Sequence, residues 1–287
     1  MAKVILSDRN YIPNSTLAGG SYEATLPLTN VQARPFSKIA RTTDATTGST
    51  YFTVDLGESK TTGMLALLNH NIKQVSARLR FRASDDAGAT TNLIYDSGQL
   101  VVLPSVYDWL THDFYEPNWF YGEPYAEDLA LFTKQFIHIP STTIRARYWR
   151  VDITDTTNAD GYFQFGYFYQ APIYRPSVDM QLNHSLGLTD NTSVQRSLSG
   201  VEYFDNRDKP RAISINIKGL PKGEMLSNIF NMATRQGKGG LVYIIPDSED
   251  TLNLYKEAFL GRFAEMPSFN DFTFNFYQSA IQIREVI

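Results

Sequence analysis

The chain has 287 residues, 43% hydrophobic and 20% charged, a globular balance that leaves room for two ordinary domains and excludes long disorder, collagen-like and coiled-coil architectures. Its formal net charge of −4, with no cluster of Lys and Arg, gives no electrostatic footprint for nucleic acid. The absence of cysteine removes disulfides, thiol nucleophiles and thiolate metal sites, and the longest apolar runs, at 64–68 and 241–245, fall far short of the ~20 residues that span a bilayer.

At the N-terminus only Val4, Ile5 and Leu6 form an apolar run before polar residues resume, so no secretion signal is expected. The 17 Tyr and 18 Phe, many alternating with Thr, Val or Ile, point to a β-rich fold. The run 51–57 alternates and ends at Gly57, which reads as a strand entering a turn. Residues 64–69 form the next strand. Over 77–84 arginines alternate with apolar residues, so one face enters a core while Arg78, Arg80 and Arg82 stay wet. Further strands are predicted at 92–95, 134–139, 148–154 and 162–169, separated by turn-rich stretches. Seven or more short strands without a long helix imply a sandwich over residues 1–173.

Within that half, 104–132 has no clean periodicity and concentrates Trp109, Tyr115, Trp119, Tyr121 and Tyr125. A loop of that length in a compact domain is more often functional than decorative. Its rings suit either a core or protein interface, or stacking on sugar rings.

The β pattern stops between Pro172 and Pro176, which places a boundary and opens a second domain at 174–287. Strands are predicted there at 178–187, 193–205, 211–218, 240–245, 259–265 and 272–287. One helix is predicted near 222–235, with Met225, Ile229, Met232 and Ala233 on one face and Gly237 ending it. A shorter one is predicted near 252–258. The run 272–278, with Phe272, Phe274 and Phe276 in alternation, reads as the strongest strand and as an edge available for assembly.

Residues placed for catalysis are missing from the pattern. His70, His112, His138 and His184 are scattered, with no second ligand type at metal spacing. His70, between Asn69 and Asn71 at a strand end, reads as a loop residue or a sugar contact. Gly237, Lys238, Gly239 and Gly240 follow a helix and precede a strand, the reverse of a phosphate loop, and read as a turn. The carboxylates of 85–88 and 152–160 match no calcium-loop spacing and read as turn chemistry. Asp108, Asp113, Glu116 and Glu123 are the carboxylates that a glycosidase reading would need.

Four segments stand in a recognisable order: Thr50-Tyr51-Phe52-Thr53-Val54-Asp55-Leu56-Gly57, Met64-Leu65-Ala66-Leu67-Leu68, Arg78-Leu79-Arg80-Phe81-Arg82-Ala83-Ser84-Asp85, and Ala146-Arg147-Tyr148-Trp149-Arg150-Val151-Asp152-Ile153. Over residues 1–173 this order resembles the discoidin, or galactose-binding-like, jelly roll. That family binds sugars, lipids or proteins through loops at one end, so the resemblance implies a fold and leaves the ligand open. The chain departs from secreted members in lacking their cysteine pair. The second half, with its strand at Pro210-Arg211-Ala212-Ile213-Ser214-Ile215, its single helix and Leu260-Gly261-Arg262-Phe263, resembles the β-sandwich-plus-helix module of phage tail-tube and distal tail proteins. Such modules form rings by continuing their sheets between neighbours.

Together the two resemblances imply a mainly β protein: an N-terminal jelly-roll sandwich, then a second β-sandwich or barrel domain with one packed helix. The expected role is a non-enzymatic virion protein of a phage tail tip or baseplate, assembled in the host cytoplasm. Its expected partners are a homo-oligomeric ring, other tail proteins and host surface glycans, with no cofactor, metal, nucleic acid or membrane insertion. A free carbohydrate-binding module is the alternative.

Overall fold

The computed structural model describes residues 3–34, 36–103, 134–182 and 184–286. The chain divides into two compact units. Unit 1 comprises residues 1–8, 174–250 and 257–287, and unit 2 comprises 9–173 with 251–256. The expected separation at 173/174 therefore needs a correction at the N-terminus. Residues 1–8 belong with the C-terminal residues, because β1 (Ile5–Ser7) pairs with a strand of that half, and Val4 and Leu6 enter the core there.

Unit 2 is a sandwich. Its strands are β2 (Thr16–Ala18), β3 (Ala40–Arg41), β4 (Tyr51–Thr62), β5 (Met64–Leu68), β6 (Arg78–Ser84), β7 (Tyr95–Asp96), β8 (Leu100–Val101), β9 (Gln135–His138), β10 (Ile144–Thr154), β11 (Gln164–Phe165) and β12 (Tyr167–Ala171). One sheet runs β2-β4-β10-β6-β7 with β8 also on β6, and the other runs β12-β5-β9. Alternation along the long strands decides what is buried. Phe52, Val54 and Leu56, Leu79, Phe81 and Ala83, and Trp149, Val151 and Ile153 all enter one core with Leu65, Leu67 and Phe168. Phe52 meets Phe168 edge-on at 5.2 Å and stacks on Phe165 at 5.3 Å.

The opposite face of the larger sheet is a network of ion pairs. Arg82 and Arg150 share Asp152, Arg80 pairs with Asp96, and Arg150 lies 3.9 Å above the ring of Tyr51. Arg147 holds Asp55 with both ends of its guanidinium, at 2.8 and 2.9 Å. Strand β4 runs past its expected end because Gly57, at φ +78°, bulges instead of turning, its N–H bonded to Asp55 Oδ1.

Unit 1 is built on one six-stranded antiparallel sheet. Its remaining strands are β13 (Ser185–Leu188), β14 (Ser193–Arg196), β15 (Glu202–Asp205), β16 (Arg211–Pro221), β17 (Val242–Ile245), β18 (Phe259–Thr273) and β19 (Phe276–Glu285). The sheet order is β1-β17-β18-β19-β16-β13. A helix, α1 (222–236), covers its apolar face and contains a π-helical stretch at Met225–Phe230. As the spacing predicts, Met225, Ile229, Met232 and Ala233 are its buried residues, against Ile213, Ile215, Ile217, Ile281 and Ile283. Glu224 fixes the start of α1 by accepting from Tyr174 Oη at 2.9 Å and from the Ser177 N–H at 2.8 Å. Gly237, at φ +51°, ends it. The turn at Leu254–Glu257 lies in the second expected helical segment.

Three expectations for this unit are corrected. The run 272–278 is not one strand but the tip of the β18–β19 hairpin, turned at Phe274 and Asn275 with Asn275 at φ +64°. The last strand is not an edge either, because β19 is bonded to β18 on one side and β16 on the other. The sheet ends at β1, which is buried, and at β13, all four residues of which are exposed. The segment 193–205 is two strands, β14 and β15, paired only with each other.

Candidate functional site

In unit 2 the aromatic residues Trp109, Tyr115, Trp119, Tyr121 and Tyr125 lie outside the described residues, as do the four carboxylates of the glycosidase reading. His70 is described, and it does not present a ring to solvent. It is 3% exposed, its Nδ1 accepts from the Ile72 N–H at 3.3 Å, and burial pushes its pKa down to about 3. Alternation cannot reveal this, because His70 is carried inward by a loop residue, Asn69, at φ +57°. His138 is held between Phe81, stacked at 5.5 Å, and the Tyr95 hydroxyl, 2.7 Å from Nε2, and burial lowers its pKa to about 4. Among the described residues no three His, Cys, Asp or Glu converge as a metal site would require. No helix among them is long and apolar enough to cross a membrane.

Unit 1 carries the unusual surface. Nineteen large hydrophobic residues are exposed among the described residues, and fifteen of them belong to unit 1, the smaller of the two. All of the fifteen but Val178 fall into two groups. The first surrounds the open sheet edge: Leu186 and Leu188 on β13, Leu182 before it, and the β14–β15 arm. On the arm Val194 faces Phe204 across the strands and Gln195 faces Tyr203. Gly200, at φ +86°, turns the tip, where Leu198 is fully exposed. A two-stranded hairpin with no third strand and no core is marginal in water on its own.

The second group is the β18–β19 tip with the outward side of α1. Phe274 is 87% exposed, Phe272 and Phe276 stand beside it, and Leu226, Phe230 and Met266 are also exposed. Phe230 meets Phe269 at 5.5 Å, and the Lys218 ammonium lies 4.4 Å above the ring of Phe272. The three phenylalanines singled out from sequence are thus brought together, at a hairpin tip. The sequence pattern does not mark the β14–β15 arm or the β13 edge as sites. Their signal was the density of Leu, Val, Tyr and Phe in a stretch also rich in Ser, Asn and Gly, too polar to be a core strand.

No family model matches the chain, and no curated protein matches it. Solved structures are similar over a little more than half of it. A family 32 carbohydrate-binding module of NanJ from Clostridium perfringens, solved with galactose, is 11% identical over 59% of this chain and 99% of its own, with a TM-score of 0.38. Chitosan-binding module 1 of a chitosanase/glucanase from Paenibacillus sp. IK-5 is 16% identical over 57% of this chain and 99% of its own, with a TM-score of 0.39. A module of a family 31 glycoside hydrolase from C. perfringens is 15% identical over 57% of this chain, with a TM-score of 0.37. A likeness of this size does not reach the residues of a ligand site.

Proposed function

We propose that the chain is a non-catalytic assembly subunit whose unit 1 associates with further copies of itself, and that the assembly is a ring of the phage tail-tip or baseplate kind displaying unit 2 to other proteins or to surface glycans. One observation carries the self-association: the concentration of exposed large hydrophobics on unit 1, around an open strand edge and a hairpin tip. Exposed apolar surface of that kind on a folded unit marks an interaction site. An edge strand with free N–H and C=O groups adds a directional one. Two separate groups suit a head-to-tail contact, which closes into a ring when the rotation allows. The phage setting rests on the resemblance of the second half to tail modules. Weak glycan contacts by unit 2 would gain strength from the number of copies.

The test is light scattering of the purified chain over a range of concentrations, followed by electron microscopy of the large species. Rings support the proposal. A strict monomer at every concentration overturns self-association, and then the second reading takes over: unit 2 acting as a free carbohydrate-binding module. That reading is favoured by the self-contained core of the sandwich, which needs no residue of unit 1. Glycan-array binding by the full chain decides it.

A further inference from the structure

On unit 1, strands β18 and β19 floor an open cleft of about 750 Å³, bordered by Asn191 and by Arg207, Asp208 and Pro210. Arg262 of β18 and Arg284 of β19 are direct cross-strand partners in that cleft, and both are exposed. Directly opposed residues project from the same face of a sheet, and like charges so placed repel. Three other arginines of this unit are answered by carboxylate: Arg211 by Glu285 at 3.0 Å, Arg207 by Asp205 at 2.9 Å, and Arg235 by Asp8 at 2.7 Å. Among the described residues neither Arg262 nor Arg284 has such a partner. Arg284 Nη2 donates to the Asn191 amide oxygen at 3.1 Å, which restricts where its guanidinium can point. Of the cleft's two carboxylates, Glu285 is taken by Arg211, and only Asp208 is without an ion pair among the described residues.

We infer that this cleft is an oxyanion site, in which a phosphate or carboxylate group lies between the guanidiniums of Arg262 and Arg284. Two planar forks side by side match the paired oxygens of such a group, and the anion relieves the repulsion that the strand register imposes. The inference does not rest on the proposed assembly.

Calorimetric titration of the full chain with inorganic phosphate, and separately with glutarate, tests it at an ionic strength held constant with chloride. The expected result is saturable binding at one site per chain. Either Arg262→Gln or Arg284→Gln weakens it at least about tenfold, the least expected for a lost charge-assisted hydrogen bond. Neither variant lowers the thermal midpoint, because each removes one of two opposed charges, and Asp208→Asn tightens binding. Phosphate alone binding assigns a phosphate source, glutarate alone assigns a carboxylate source, and binding of both establishes the shared chemistry. No binding of either anion, or binding that survives both arginine substitutions, overturns the inference.

Discussion

Leu6 and Tyr174 exchange two backbone hydrogen bonds, Leu6 N–H to the Tyr174 oxygen at 3.0 Å and Tyr174 N–H to the Leu6 oxygen at 2.8 Å. The chain therefore leaves unit 1 and re-enters it at neighbouring points, residues bonded in this way lying only ~5.5 Å apart. Deleting residues 9–173 and joining Asp8 to Tyr174 through a short Gly-Ser link is expected to leave unit 1 folded. Circular dichroism with cooperative thermal unfolding is the check. A product without a transition would show that unit 1 cannot stand without the inserted segment.

Val194 and Phe204 face one another on an arm that buries neither. Val194→Asp, Phe204→Asp and, on the other surface, Phe274→Asp should each change the unfolding free energy by no more than about 0.5 kcal/mol, as exposed substitutions do. If these surfaces join copies, at least one substitution on each should weaken association tenfold or more, about the cost of losing an interface anchor. Sedimentation at several concentrations measures it, and unchanged association in all three would remove the arm and tip from the interface.

Acid should weaken unit 2 through its histidines. Burial holds His138 down to about 4 and His70 to about 3, whereas unfolded histidine titrates near 6.5. The stability of their neutral, folded forms is complete above pH ~6.5 and is lost as pH falls, through the folded value of His138 and then that of His70. Near pH 5 each contributes a slope on the order of 1 kcal/mol per pH unit. Urea unfolding of the full chain between pH 7 and 5 should show that decline, and His138→Gln should remove one histidine's share. An unaltered slope in the variant would rule His138 out.

Arg211 and Glu285 form a nearly buried pair, with Arg211 also 5.1 Å above the ring of Phe259 and donating to the Ala258 carbonyl at 3.1 Å. Arg211→Met leaves the carboxylate buried without its counter-charge, at a cost of about 3–5 kcal/mol. The double change with Glu285→Leu should recover much of that loss. Equal instability of single and double variants, measured by chemical denaturation, would mean that packing on Phe259 outweighs the charge pair.

Local chemistry made much of this fold legible. The arginines alternating with Leu79, Phe81 and Ala83 stayed on the wet face of β6, and the apolar spacing of Met225, Ile229 and Met232 gave the buried side of α1. Alternation failed where its period survived a change of direction. Phe272, Phe274 and Phe276 keep strand spacing through a reversal, and only Asn275, a residue tolerant of positive φ, marks the turn. Long-range pairing was equally hidden, since nothing in Ile5, Leu6 and Ser7 specifies a partner at 243–245. The aromatic stretch read as a binding segment lies outside the described residues, whereas the arm and the arginine cleft came from surface placement, which no local pattern carries.

The pairing of Ile5 with Ile245 also sets an order of events during synthesis. β1 is made before its partner β17, and every residue of 9–173 is made in between. Closure of such distant contacts is slow, and domains fold as units while the chain emerges. The sandwich therefore has all but residues 251–256 available before unit 1 can close its sheet, and the apolar faces of β16, β18 and β19 become a covered core only after β19 has been made. The apolar surface on which unit 1 would dock to a neighbour is thus completed only after the sandwich has been made.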